Sequence, residues 1–420
     1  MATTYLTRTM TGSPTSNKKG TMSYWFKRSK LGVYQNLGQI GAASAGAAGA
    51  GLAADDQWIF YWEHDGSAWD MLKTNRKFRD TSGYYNVVFN WDSTLATSGD
   101  RLQLWVNGVR ETDFATEVQP AQDTTCLIGS AQTYNFNAWS STSYFDGLIS
   151  HYHYIDGTAY PASTFGETDA TTGEWKIKTS PSVTYGNQGY FILKDGNSVT
   201  DQSGNGNNWT VGGGTLTNTE DCPSDVFCCA NALSKGASIT LSNGNTTITN
   251  GASWQSVMGT LGVSKGKWYW ENKVASLGTA NAGITMSKQD GTTHSSVDAT
   301  RIMYSSNGYV YRDALGTSTD TGTTFTTGDI IGVSLDCDSG IIKFYKNDAL
   351  IDTSTNSIIT NNEWCPAWGV NAGSFNVNFG NGYFSTTAIS SAGTNASGIG
   401  IFEYDVPTGY TALSTKGLNS

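Results

Sequence analysis

The chain has 420 residues, enough for two or perhaps three domains that each bury a core. Only 14% of its residues are charged while 12% are aromatic, which excludes an intrinsically disordered chain. The formal net charge is −10 and no basic cluster exceeds Asn17-Lys18-Lys19, so nucleic acid is excluded as a partner: phosphate binding needs a basic face.

Met1 to Met10 has no apolar segment of the secretory type, and no apolar run approaches the roughly 20 residues that cross a bilayer. Synthesis in a cytoplasm without membrane insertion is expected. There are 49 glycines but 7 prolines, so Gly, Asn, Asp and Ser are expected to make most turns. The fold class is all-β, with short strands between Gly/Asn/Ser/Thr loops.

In chain order, Thr21–Lys27 alternates, with Met22, Tyr24 and Phe26 on one side and Trp25 on the other. Gly41 to Ala54 is almost wholly Gly and Ala and reads as a surface loop, because each glycine would cost about 1 kcal/mol inside a helix. Gln57–Glu63 is aromatic on both sides, so it is either fully buried or half exposed as a stacking surface. Tyr84–Trp91 and Arg101–Val109 follow, the latter holding the hairpin dipeptide Asn107-Gly108. Phe145–Ile155 reads as a long strand closed by Asp156-Gly157, and Pro161–Phe165 as one helical turn. His151 and His153 share a face with Ile149 and Ile155, which predicts structural histidines.

Residues 211–235 are irregular and are expected to link two domains, 1–210 and 236–385. In the second, Ile331, Val333, Leu335 and Cys337 alternate up to an Asp338-Ser339-Gly340 turn, and Ile342 and Phe344 alternate after it, which predicts a β-hairpin. Residues 386–420 read as a small, polar linker followed by an apolar tail that docks on its own domain or on a neighbouring subunit.

Several second-half motifs stand in the order of a SPRY domain: Gly266-Lys-Trp-Tyr-Trp-Glu271, Ala282-Gly-Ile284, Ser306-Asn-Gly-Tyr309, the 328–350 hairpin, Trp364-Cys-Pro366 and Asn376-Val-Asn-Phe-Gly380. This region resembles that family, which implies a two-sheet sandwich that binds partners through loops at one end and is not catalytic. One departure is Lys346-Asn-Asp in place of Lys-Asn-Gly; Asp tolerates the left-handed turn. The first half resembles the concanavalin A-like lectin and laminin-G-like sandwiches through Tyr85–Asp92, Leu104–Gly108, Phe145-Asp-Gly147 and Asp201–Trp209. The combined layout, with Phe165–Asp169 and Phe402–Tyr410, is similar to bacteriophage proteins of marine type. That resemblance implies a virion structural protein of fibre or decoration type, exposed on the particle. It also implies other virion proteins as partners and a homo-oligomer, with a trimer favoured.

Chemistry is sparse. The laminarinase-like spelling E-x-D-x-x-E is approached only by Glu167, Asp169 and Glu174, with a wrong second interval and in a segment that reads as a loop, so no enzyme is expected. Asp201, Ser203, Asn205 and Asn207 alternate, with a Gly at the sixth position, like the first half of a calcium loop, but the twelfth position is Gly212 rather than Glu. A tight Asx-rich turn is the favoured reading and calcium the alternative. The six cysteines lack metal-ligand spacing and read as buried free thiols. Most first-half tryptophans are expected in the core or at a subunit interface; Trp58, Tyr61, Trp62 and Trp69 are the candidates for an exposed cluster on which a host surface glycan would stack. The function expected is therefore a virion structural protein, with a host-attachment lectin as the alternative and a glycan hydrolase behind both.

Overall fold

The computed structural model describes residues 3–40, 48–63, 69–137, 143–194, 198–251, 253–286, 301–312 and 316–420. It is all-β, 47% strand and 4% helix, and forms two compact units, Met1–Asn218 and Thr219–Ser420.

The first unit faces an eight-stranded sheet with a six-stranded one. The strand Lys19–Arg28 lies between Tyr85–Asp92 and Gly147–Asp156, and its even positions Met22, Tyr24 and Phe26 enter the core as their alternation requires. Trp25 on the opposite face is also buried, at 4% exposure. At Asn107-Gly108 both residues take positive φ, 47° and 77°, the geometry of a two-residue hairpin turn.

The Gly/Ala stretch departs from expectation. Ala48–Leu52 is a buried strand paired with Gln35–Ile40 and Gln57–Glu63; residues 41–47 lie outside the described set. Its composition serves close approach. A Cβ on Gly49 would lie 2.4 Å from Tyr61 Oη, and one on Gly51 would lie 2.4 Å from the Gln35 carbonyl oxygen. The histidines are structural, as read, but the shared face is interrupted: a bulge between Ser150 and His153 puts His151 at φ 50°.

The second unit faces a seven-stranded sheet with one built on Lys267–Ser276, which runs between Ile330–Asp336 and Gly373–Asn378. The 328–350 hairpin forms as expected, with Val333 opposite Phe344 and Leu335 opposite Ile342, all in the core. Asp336 Oδ1 accepts the Asp338 and Ser339 amides at 3.0 and 2.9 Å, fixing the turn. Asn347 and Asp348 take φ 47° and 72°, so Asp occupies the left-handed position that Gly usually fills.

The tail docks on its own unit. Phe402, Val406 and Leu413 join the core, and Thr411–Ala412 pairs in parallel with Trp268 and Tyr269, past the point where Asn378 leaves the sheet.

Gly51→Ala is expected to lower stability by about 1–3 kcal/mol, because the added methyl meets a backbone oxygen that cannot move aside. Chemical denaturation of the full chain, followed by tryptophan fluorescence, measures it.

Candidate functional site

The first-half aromatics are core rather than surface. Trp58 is fully buried, stacked on Phe26 at 5.5 Å and 27° and packed on Phe78 at 5.8 Å. Tyr61 is buried beside the Gly/Ala strand. Neither offers a face to a sugar, which corrects the expectation that they are exposed; the side chains of Trp62 and Trp69 lie outside the described residues. Alternation cannot tell which face of an aromatic strand is wet and which meets the other sheet, and that explains the correction. Between the sheets lies a narrow cavity lined by Tyr24, Leu37, Ala50, Phe60, Tyr152 and Trp209. It has room for one or two waters rather than a pyranose, and Tyr24 Oη and Trp209 Nε1 are buried there without protein partners.

The Asp201 loop is closed by its own hydrogen bonds. Asp201 Oδ1 accepts the amides of Phe191 and Ser203, both at 2.9 Å, and Oδ2 accepts the Asn207 amide and the Ser203 hydroxyl, both at 2.8 Å. Asn205 Nδ2 donates to the Gly186 and Gly189 carbonyls, and Asn207 Nδ2 to those of Asn187 and Gly189. Asn207 Oδ1 accepts from the Arg8 guanidinium at 2.5 Å. A cation beside that guanidinium would be repelled, and the set holds a single carboxylate, so these residues do not fit calcium.

The carboxylates at 167–174 sit on an exposed hairpin, Gly166–Thr168 with Trp175–Ile177, where a loop was expected. Asp169 bonds Lys176 at 2.6 Å and accepts the Thr171 and Thr172 amides; that ion pair, then those amides, hold it well below the usual carboxylate range. Glu167 lies 3.6 Å from Lys178. A general acid needs its pKa raised in a cleft, and Asp169, on an exposed hairpin beside Lys176, has the opposite environment. His153 is buried, held neutral by desolvation and bonded to Tyr185 Oη at 2.9 Å. Among the described residues no group of three or more His, Cys, Asp or Glu could hold a metal ion, and all six cysteines are free thiols.

In the second unit two arrangements stand out, and neither follows from composition. Glu271 lies on the face of its strand that a two-layer sandwich leaves to solvent, yet it is 0% exposed because the tail covers it. Its Oε2 accepts the Glu403 amide at 2.9 Å and Asn378 Nδ2 at 3.2 Å; Oε1 accepts the Tyr404 amide at 2.9 Å and Tyr269 Oη at 3.3 Å. Burial outweighs these donors and raises its pKa to about 7. The second arrangement is on Tyr309–Arg312. Tyr309 and Tyr311 stack at 6.0 Å and 25° on the outward face, while Val310 points into the core. Arg312 donates to Asp352, Ser354 and Thr319, each at 2.6 Å, tying this strand to the edge of the facing sheet. The Tyr-x-Tyr spelling was the available signal for the outward pair; nothing local marks Glu271, whose partners lie far along the chain.

Residues 2–162 match the model of the concanavalin A-like lectin/glucanases superfamily, and residues 267–382 match that of the SPRY domain. The chain carries a concanavalin A-like lectin/laminin-G-like domain and a SPRY domain. No curated protein matches it. Similar solved structures include the SPRY domain of human HERC1, 16% identical, covering 35% of this chain and 96% of that one at a TM-score of 0.30. The TRIM65 PSpry domain is 14% identical, covering 36% and 90% at 0.31, and a human SPRY domain is 17% identical, covering 33% and 94% at 0.27. The SPRY assignment rests on the matched residues rather than on these structures. Both domains are of generally non-catalytic, binding classes.

Two outcomes are expected. Asp201→Ala lowers stability by about 1–3 kcal/mol by orphaning the buried Phe191 amide and the half-buried Asn207 amide, and excess calcium or EDTA leaves the wild-type melting temperature unchanged. For Glu271, the folded value of about 7 lies above the unfolded value of 4.5, so the folded chain binds more protons between them. Stability is therefore expected to fall, by up to about 3 kcal/mol, as pH rises from about 4.5 to about 7, and to level off above. Melting of wild type and Glu271→Gln across this range checks it, since the variant lacks the dependence.

Proposed function

We propose that this is a non-enzymatic structural protein of a bacteriophage particle, exposed on its surface as a fibre or decoration and assembled as a homo-oligomer, with a trimer favoured. The observation that carries the reading is that most of the exposed aliphatic side chains among the described residues lie along sheet edges. Val109, Val118, Val211, Leu233 and Leu350 are 64, 43, 43, 64 and 55% exposed, and each is on a strand at the end of its sheet. Apolar side chains along sheet edges invite another chain to pair there, and a protein that stays monomeric blunts such edges with charge or proline. Closed symmetric assembly covers them. The order of a lectin-like domain before a SPRY domain, and the Phe402–Tyr410 ending, support the virion setting.

A second reading, a host-attachment lectin, has a specific observation in its favour: the outward tyrosine pair at Tyr309 and Tyr311. The two readings are compatible, since an outer virion protein can also be adhesive.

Analytical ultracentrifugation of the purified chain is expected to give a homo-oligomer that Val109→Lys with Leu350→Lys shifts toward monomer. Mass spectrometry of purified particles is expected to find the protein. A monomer that is also absent from particles would refute the proposal.

A further inference from the structure

We propose that the outward face of Tyr309–Arg312 is a platform for a neutral polysaccharide, with successive sugar rings stacking on Tyr311 and Tyr309. This rests on the glycan-binding reading and names its site. Among the described residues Tyr309 is the one aromatic side chain among the exposed large hydrophobics, at 36%. Residues two apart on a strand stand on one face about 7 Å apart, and the two rings, centroids 6.0 Å apart and within 25° of parallel, make up the aromatic floor of that face. Apolar C–H faces of pyranoses pack on such floors, and hydroxyls then need hydrogen-bonding groups at the rim.

The rim is present. Cross-strand register sets Asp320 opposite Tyr309 and Ser318 opposite Tyr311, and directly opposite residues share a face. Asn307 Nδ2 donates to Tyr311 Oη at 3.1 Å, which leaves the phenolic hydrogen free to donate to a ligand. Asp320 Oδ1 accepts the Gly322 amide, leaving its other oxygen for sugar hydroxyls.

Charge selects among glycans. Arg312, the cation of this strand, already bonds Asp352, Ser354 and Thr319, so the platform offers no free guanidinium to a uronate or sulfate. Asp320 and the net charge of −10 repel anionic chains. The same bonds from Arg312 hold the strand in place, so little ordering accompanies binding. The floor is a strand face and not one of the end loops.

The test uses the full chain, with laminarin, mannan and dextran as neutral probes and alginate as the anionic one, by isothermal titration calorimetry. Wild type is expected to bind at least one neutral probe and not alginate. Tyr309→Ala and Tyr311→Ala are each expected to weaken binding roughly tenfold with unchanged melting temperature, while Tyr309→Phe stays within about threefold. Neutral binding that survives both alanine substitutions overturns the platform and leaves the lectin reading standing, as does binding of alginate alone. Binding of no probe overturns both. If Tyr309→Ala instead changes the oligomeric state, the face is an interface between copies and the proposal falls.

Discussion

Both units depend on one steric constraint: an aromatic ring that lies flat along a sheet needs a neighbour that gives up its side chain. Gly20 lies directly opposite Trp91, and a Cβ there would sit 2.3 Å from the indole. Gly49 stands in the same relation to Tyr61, and Gly332 yields space to Tyr269. Glycine inside a strand ordinarily weakens it, by loss of packing and by chain entropy. Here a ring lies over the bare backbone and restores the packing, so the cost of each glycine is offset by a large side chain settled in place.

The constraint explains which features the sequence made legible. Period-two alternation located the Lys19–Arg28 strand and both halves of the 328–350 hairpin, because side chains there report only their own strand. Asn107-Gly108 was readable for the same reason: a two-residue turn is encoded by the two residues that make it. Gly49 and Gly51 were assigned to a loop because what requires glycine there is a ring or carbonyl on another strand, invisible to any local pattern. Trp58 illustrates the converse. Its indole was recognisable as a large apolar surface, but whether that surface meets a sugar or Phe26 is decided by the other sheet.

The functional groups divide the same way. The Asp201 loop was legible as an Asx-rich turn since the Asp201 carboxylate accepts from Ser203 and Asn207 close by in sequence, whereas its asparagine amides reach residues 186–189 and the Arg8 guanidinium that disfavours calcium comes from the other end of the unit. In the sequence Glu271 reads only as the end of an aromatic strand. Its burial depends on residues 403 and 404, which lie outside the matched SPRY segment of 267–382. A domain boundary drawn from family motifs would therefore leave a carboxylate facing water, although this fold uses it to hold the covering segment.

That dependence has a consequence for synthesis. The Lys267–Ser276 strand sits in the middle of its sheet, yet the neighbour of Trp268 on one side is Thr411. Until the ribosome has passed Leu413, the growing chain leaves Glu271 without the Glu403 and Tyr404 amides, Tyr269 without Phe402 and Trp268 without its Thr411 neighbour. The lectin-like unit can close while translation continues, as amino-terminal domains generally do; the SPRY unit has to wait. Nascent chains stalled ahead of that point would be the ones most in need of chaperones.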